Sequence, residues 1–130
     1  MPPSPPSRQE RILAALAHAS LLPSFLPFLH PLGPAFVLVV GLRSRTRSDW
    51  LTVHAFQALY YQVPVLLVLV FFLAPTPVTA VLYVAVNLYA LYGAVRSFQG
   101  ADFRYVLVGR AAERGHLRAQ QRRQGGRGRP

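Results

Sequence analysis

The sequence predicts an all-α integral membrane protein with three full transmembrane helices, one short re-entrant or half-crossing helix, and cytoplasmic N and C termini. Three observations carry that prediction. Asp, Glu, Lys and Arg are absent from the 46 residues Trp50 to Val95 and from the 31 residues Ile12 to Leu42. The 14 basic residues are all arginine, face four acids for a net charge of +10, and lie almost entirely in the connectors and tail. Seven of the twelve prolines break the apolar runs at intervals. A soluble domain mixes charge into each exposed face, so this blockwise separation argues against one. The 130 residues suffice for one compact unit. With no cysteine, disulfides, thiolate metal sites and cysteine nucleophiles are excluded.

Taken in order, residues 1–9 read as a disordered Pro-rich leader, 10–110 as a helical transmembrane domain and 111–130 as a basic cytoplasmic tail. A first helix is expected over about 10–29. No small-x-small cleavage site follows before Pro31, so this run reads as a span rather than a signal peptide. Pro31-Leu32-Gly33-Pro34 is a strong helix breaker. The apolar segment 35–42 that follows covers only about 12 Å as a helix, which makes it re-entrant or half-crossing. The 46-residue uncharged run is the length of two crossings and a turn. Pro75 and Pro77 place that turn, giving spans at 50–74 and 78–95. Pro64 should kink the first of these, which membrane helices tolerate. Arginine-rich short loops stay cytoplasmic, and Arg43, Arg45, Arg47 and the nine arginines from Arg96 onward set that orientation. The localisation expected is the bacterial inner (cytoplasmic) membrane.

Polar side chains within the spans are few. Of His18, His54, Gln57, Gln62 and Asn87, the depths of His18, Gln57 and Asn87 place them on the cytoplasmic half, and His54, Gln57, Tyr61 and Gln62 share one helix face by their spacing. Such groups pair across helices because lipid offers them no partner. They form either an interhelical polar cluster or a pathway for a solute. The four histidines, His18, His30, His54 and His116, show no i, i+3 or i+4 pair, so neither a metal site nor any cofactor is expected. No nucleophile with a base and no phosphate loop is recognisable, and the chain reads as a non-enzyme. Segment 96–110 alternates aromatics with charge and should lie along the headgroups. Arg43, Arg45, Arg47, Arg96, Arg104 and Arg110 are the expected contacts to anionic lipids. The arginine-rich tail could also hold RNA, since phosphate contacts need only charge.

Several segments together resemble a known family. Glu10-Arg11-Ile12-Leu13-Ala14-Ala15-Leu16-Ala17-His18, the break at Pro31 to Pro34, His54-Ala55-Phe56-Gln57-Ala58-Leu59, and Phe98-Gln99-Gly100 followed by Phe103-Arg104-Tyr105 and Gly109 look like the small bacterial membrane proteins grouped with the twenty-kilodalton subunit of the chloroplast inner-envelope Tic translocon. The resemblance spans about residues 10–110. It implies a helical polytopic fold and a role in or beside a protein-conducting assembly. The first functional expectation is thus a non-enzymatic membrane component of a larger assembly related to protein translocation, with a membrane-protein partner or a second copy. An oligomeric channel or small-solute transporter lined by the polar residues is the alternative. A membrane-tethered RNA or ribosome binder acting through the tail is the third.

Overall fold

In a computed structural model, which describes residues 5–25, 29, 31–68 and 76–106, all regular structure among the described residues is helical. Helix α1 runs Arg8–Ala19 and α2 runs Leu32–Ser44, with a single 3-10 turn, Leu22–Phe25, between them. Helix α3 runs Asp49–Leu67 and α4 runs Pro77–Phe98.

Local chemistry sets each start. Ser7 caps α1 in a capping box: its hydroxyl accepts from the Glu10 amide, and the Ser7 amide donates to the Glu10 carboxylate at 2.7 Å. Hydrogen bonding from the Ser48 hydroxyl, and then from Ser7, holds the Glu10 carboxyl below its usual range. This couples the start of α1 to the start of α3, where the same Ser48 oxygen accepts from the Leu51 amide. Pro34 is tolerated in the first turn of α2, and Pro77 opens α4 behind its Thr76 cap, because first-turn amides have no helical partner to lose. Helix α4 closes on Gly100 at φ +77°, with Gly100 N–H donating to Ser97 O and Ala101 N–H to Arg96 O. That pair of bonds is the Schellman closure, and its left-handed residue suits glycine.

The closure sends residues 101–105 back over the bundle as a strap. Phe103 and Tyr105 are buried, at 8% and 2% exposure. Tyr105 stacks on Tyr61 with centroids 4.1 Å apart and meets Tyr89 edge-on. Phe103 lies against the bare backbone of Gly93, where a Cβ would fall 2.7 Å from its ring. Helix α1 packs along α4 on one side and against α3 on the other, and α2 packs along α3. Helices α3 and α4 scarcely touch directly. The strap and the bond from the Tyr61 hydroxyl to Val86 O bridge them. Small residues allow the close approaches: Ala14, Ala17, Ala55, Ala58, Ala90 and Ala94 are buried, and Gly33 sits so near the Ser20 carbonyl that a Cβ would collide with it.

The described residues do not form three full crossings. The first helix stops at Ala19 rather than near 29, and its 12 residues cover roughly 18 Å against a hydrocarbon core of about 30 Å. Ser20 ends it by turning its hydroxyl onto Ala17 O, and Pro23 lies in the 3-10 turn that follows. Helix α2 extends beyond 35–42 at both ends, yet its 13 residues still fall short of a crossing. Helix α3 begins as expected and continues through Pro64; residues 69–75, which include the end of the expected 50–74 span and most of its turn, lie outside the described residues. Among the described residues one helix, α4, is long and apolar enough to cross a membrane. The expected headgroup-lying segment after Val95 is also revised: α4 continues to Phe98, and Phe103 and Tyr105 point into the bundle instead of into lipid.

Candidate functional site

Four elements meet at one buried network. His18 of α1, fully buried, faces His54 of α3 with Nε2 3.3 Å from Nδ1. His18 Nδ1 lies 3.0 Å from the Tyr105 hydroxyl on the strap. His54 Nδ1 also lies 3.2 Å from Ser97 Oγ on α4. The Ser97 hydroxyl also reaches Gly93 O on its own helix at 2.9 Å. Each neutral imidazole carries one N–H, and the nitrogen that bears it sets the direction of these bonds. The network therefore locks α1, α3, α4 and the strap together at a single point. Each of these four side chains is buried and makes at least one hydrogen bond to another of them.

The remaining residues expected to be functional take separate places. Gln62, 1% exposed, donates from Nε2 to Ala17 O at 2.8 Å and to Ser20 Oγ, capping the end of α1. It shares the face of α3 with His54 but not its contacts. Asn87 donates to Tyr83 O on its own helix, and its Oδ1 is buried without a partner. Gln57 is also buried, and its Oε1 likewise has no partner. Gln57 is among the residues lining a cleft of about 200 Å³ between the start of α3 and the strap. The Trp50 indole N–H closes one side of that cleft by donating to Asp102 Oδ1 at 2.9 Å.

The arginines gather at the same end. Arg43, Arg45 and Arg47 are exposed around the α2–α3 turn, Arg96 near the end of α4 and Arg104 on the strap. The Arg45 guanidinium lies over the Phe56 ring at 4.9 Å. Arg110, His30 and His116 lie outside the described residues. The start of α1, the α2–α3 turn and the end of α4 share this end, as the Glu10–Ser48 and Trp50–Asp102 pairings require.

Reasoning from the sequence missed Ser97 and Tyr105 in the network. Ser97 carried a readable signal: Asn87, Ala90, Gly93, Ala94 and Ser97 form a small and polar stripe at helical spacing, and all five are buried. Tyr105 carried none, because only the turn at Gly100 directs it inward.

No curated relative and no solved structure matches the chain. A family model does match, over residues 9–112: the magnetosome magnetite crystal formation protein family, MamF/MmsF. This overturns the resemblance to the Tic translocon subunit, and the expected link to protein translocation goes with it. The segments behind that resemblance are the bundle's own fastenings: the α1 cap and His18, the start of α2, the polar face of α3, and the closure and strap after α4. A fold-wide match, an exposed apolar α4 and a polar network sealed at the arginine-rich end together define the chain as a membrane protein belonging to the MamF/MmsF family.

Proposed function

We propose that this protein is a non-enzymatic membrane component that works by assembling with other membrane protein, itself or another chain, at the arginine-rich face of the bilayer. The observation behind this reading is the division of α4. Its apolar side chains Val78, Val81, Leu82 and Val84 are exposed, while Asn87, Ala90, Gly93, Ala94 and Ser97 further along are buried. The side chains that could perform chemistry, His18, His54, Ser97 and Tyr105, hydrogen-bond one another and leave the outer surface to packing. Arg43, Arg45, Arg47, Arg96 and Arg104 at one end fit a cytoplasmic face of an inner membrane, where they would meet anionic headgroups. The family's name supplies the process: magnetite crystal formation in magnetosomes. On this reading the chain contributes through the membrane around the mineral.

The test is crosslinking in intact membranes followed by mild-detergent purification of the tagged full-length chain. Reproducible adducts to itself or to one membrane protein are expected, and a chain that crosslinks to nothing would refute the assembly role. Expression in a magnetite-forming bacterium that lacks its own family member addresses the process separately. Restored crystal size is expected, and unchanged crystals would remove the mineral half of the proposal.

A further inference from the structure

Helices α3 and α4 scarcely touch, and an apolar groove of about 400 Å³ lies between them beside the strap. Tyr60, Tyr61, Pro64 and Val65 of α3, Tyr89 of α4 and Tyr105 of the strap line it. Three of the tyrosine hydroxyls are engaged elsewhere. Tyr61 donates to Val86 O at 2.9 Å, Tyr89 accepts from the Val106 amide at 3.3 Å, and Tyr105 pairs with His18. What remains for an occupant is ring faces, proline and valine, a lining that suits hydrocarbon and repays no buried charge. Depth agrees with that chemistry. Tyr89 lies seven residues before Arg96, about 10 Å along α4, and Pro64 lies fifteen residues after Asp49, about 22 Å along α3. With the arginines at the headgroups, these distances set the groove beside acyl chains.

From the groove a track leads to positive charge. Phe56 lies one turn before Tyr60 on α3, with ring centroids 6.4 Å apart, and the Arg45 guanidinium lies over Phe56 at 4.9 Å. Arg43 and Arg47 flank Arg45 on the same turn. We infer that the groove holds one acyl chain of an anionic phospholipid, with Arg45 beside its phosphate. Charge decides between a lipid and a second copy of the chain. Copies inserted the same way round carry their arginine clusters at one level, so a neighbour seated in this groove brings like charges together. An anionic headgroup brings the opposite charge. The inference rests on the membrane reading above and adds to it a specific occupant.

The test uses the full-length chain in phosphatidylcholine vesicles that contain a trace of phosphatidylglycerol bearing a photoactivatable diazirine midway along one acyl chain. A parallel set carries the same label on phosphatidylcholine. Peptide mass spectrometry maps the adducts. Adducts from the phosphatidylglycerol probe should concentrate on Tyr60, Pro64, Val65 and Tyr89 and exceed those from the phosphatidylcholine probe roughly fivefold. Arg45→Gln should bring the two probes towards parity. Val65 is only partly buried, so Val65→Trp should fill the groove with helix content unchanged; groove adducts should vanish while those on the exposed Val81 and Leu88 persist. The inference is overturned by adducts no denser in the groove than at Val81, by equal labelling from the two probes, by a preference that Arg45→Gln leaves intact, by groove adducts that survive Val65→Trp, or by a groove that a second copy shields from both probes. Vesicle flotation and carbonate extraction separate the two readings. A chain that fails to insert overturns the membrane reading and this inference together, whereas an inserted chain with an unlabelled groove overturns this inference alone.

Discussion

The two halves of α4 have nearly the same apolar composition and opposite surroundings. From Pro77 to Val86 no side chain is buried, and Val78 and Val81 are each 68% exposed. From Asn87 to Phe98 the helix presents Asn87, Ala90, Gly93, Ala94 and Ser97 to α1 and the strap, and all are buried. Side-chain size separates the halves. Small residues let backbones approach and let one hydroxyl reach a histidine, while the branched valines of the first half hold neighbours away and suit lipid. Hydrophobicity along the chain therefore marks where a membrane helix lies, and a small and polar stripe at helical spacing marks the face that protein covers.

Substitutions can break this contrast or sharpen it. The largest effect is expected from Gly93→Val, which drives a side chain into Phe103 and unseats the strap, at a cost of about 3 kcal/mol. A lowered thermal melt by circular dichroism and a shifted Trp50 emission would register it, because Trp50 is bonded to Asp102 of the strap. Tyr105→Phe keeps the aromatic stack and deletes the partner of His18 Nδ1, leaving a buried ring nitrogen unpaired at about 2 kcal/mol. Its melt should fall without loss of helix content. Gly100→Ala must hold alanine at φ +77° and should cost about 1 kcal/mol in the same melt.

A smaller effect depends on pH. Because folding lowers the Glu10 pKa from its ordinary value of 4.5, the carboxylate's contribution is present above that value and is lost as pH falls through the lower folded value. Glu10 is mostly exposed, so the effect is roughly a few tenths of a kcal/mol. Melts recorded from pH 6 down to pH 3 should show the unmodified chain converging on Glu10→Gln. In the first half of α4, Val81→Ala should change the melt by less than about 0.5 kcal/mol, since no protein contact is lost. A loss as large as that of Gly93→Val would erase the distinction between the halves.

Much of this was legible in the residues. The uncharged runs located α3 and α4, the Pro31–Pro34 break marked where α2 begins, and the rarity of polar residues in the runs singled out His18, His54, Gln57, Gln62 and Asn87, all buried. The early end of α1 was not legible, because Leu21 to Leu29 is as apolar as a span and only the local turn at Ser20 ends the helix. The strap was misplaced for a different reason. Phe103 and Tyr105 flanked by charge have the pattern of aromatics at a membrane interface. Their inward course depends on one glycine angle and on the missing Cβ of Gly93. The cleft was invisible for the same cause, since Trp50 and Asp102 come together only when the strap folds back.

The central claim is that α4 crosses a bilayer with its first half in lipid and one face of its second half covered by protein. The chain has no cysteine, so Val81→Cys and Ala94→Cys each give a single labelling site. Spin-label accessibility in reconstituted vesicles tests the claim most directly. The account predicts that position 81 is open to oxygen and closed to a water-soluble nickel chelate, and that position 94 is closed to both. Ready access of the nickel chelate to position 81 would place that half of α4 in water and contradict it.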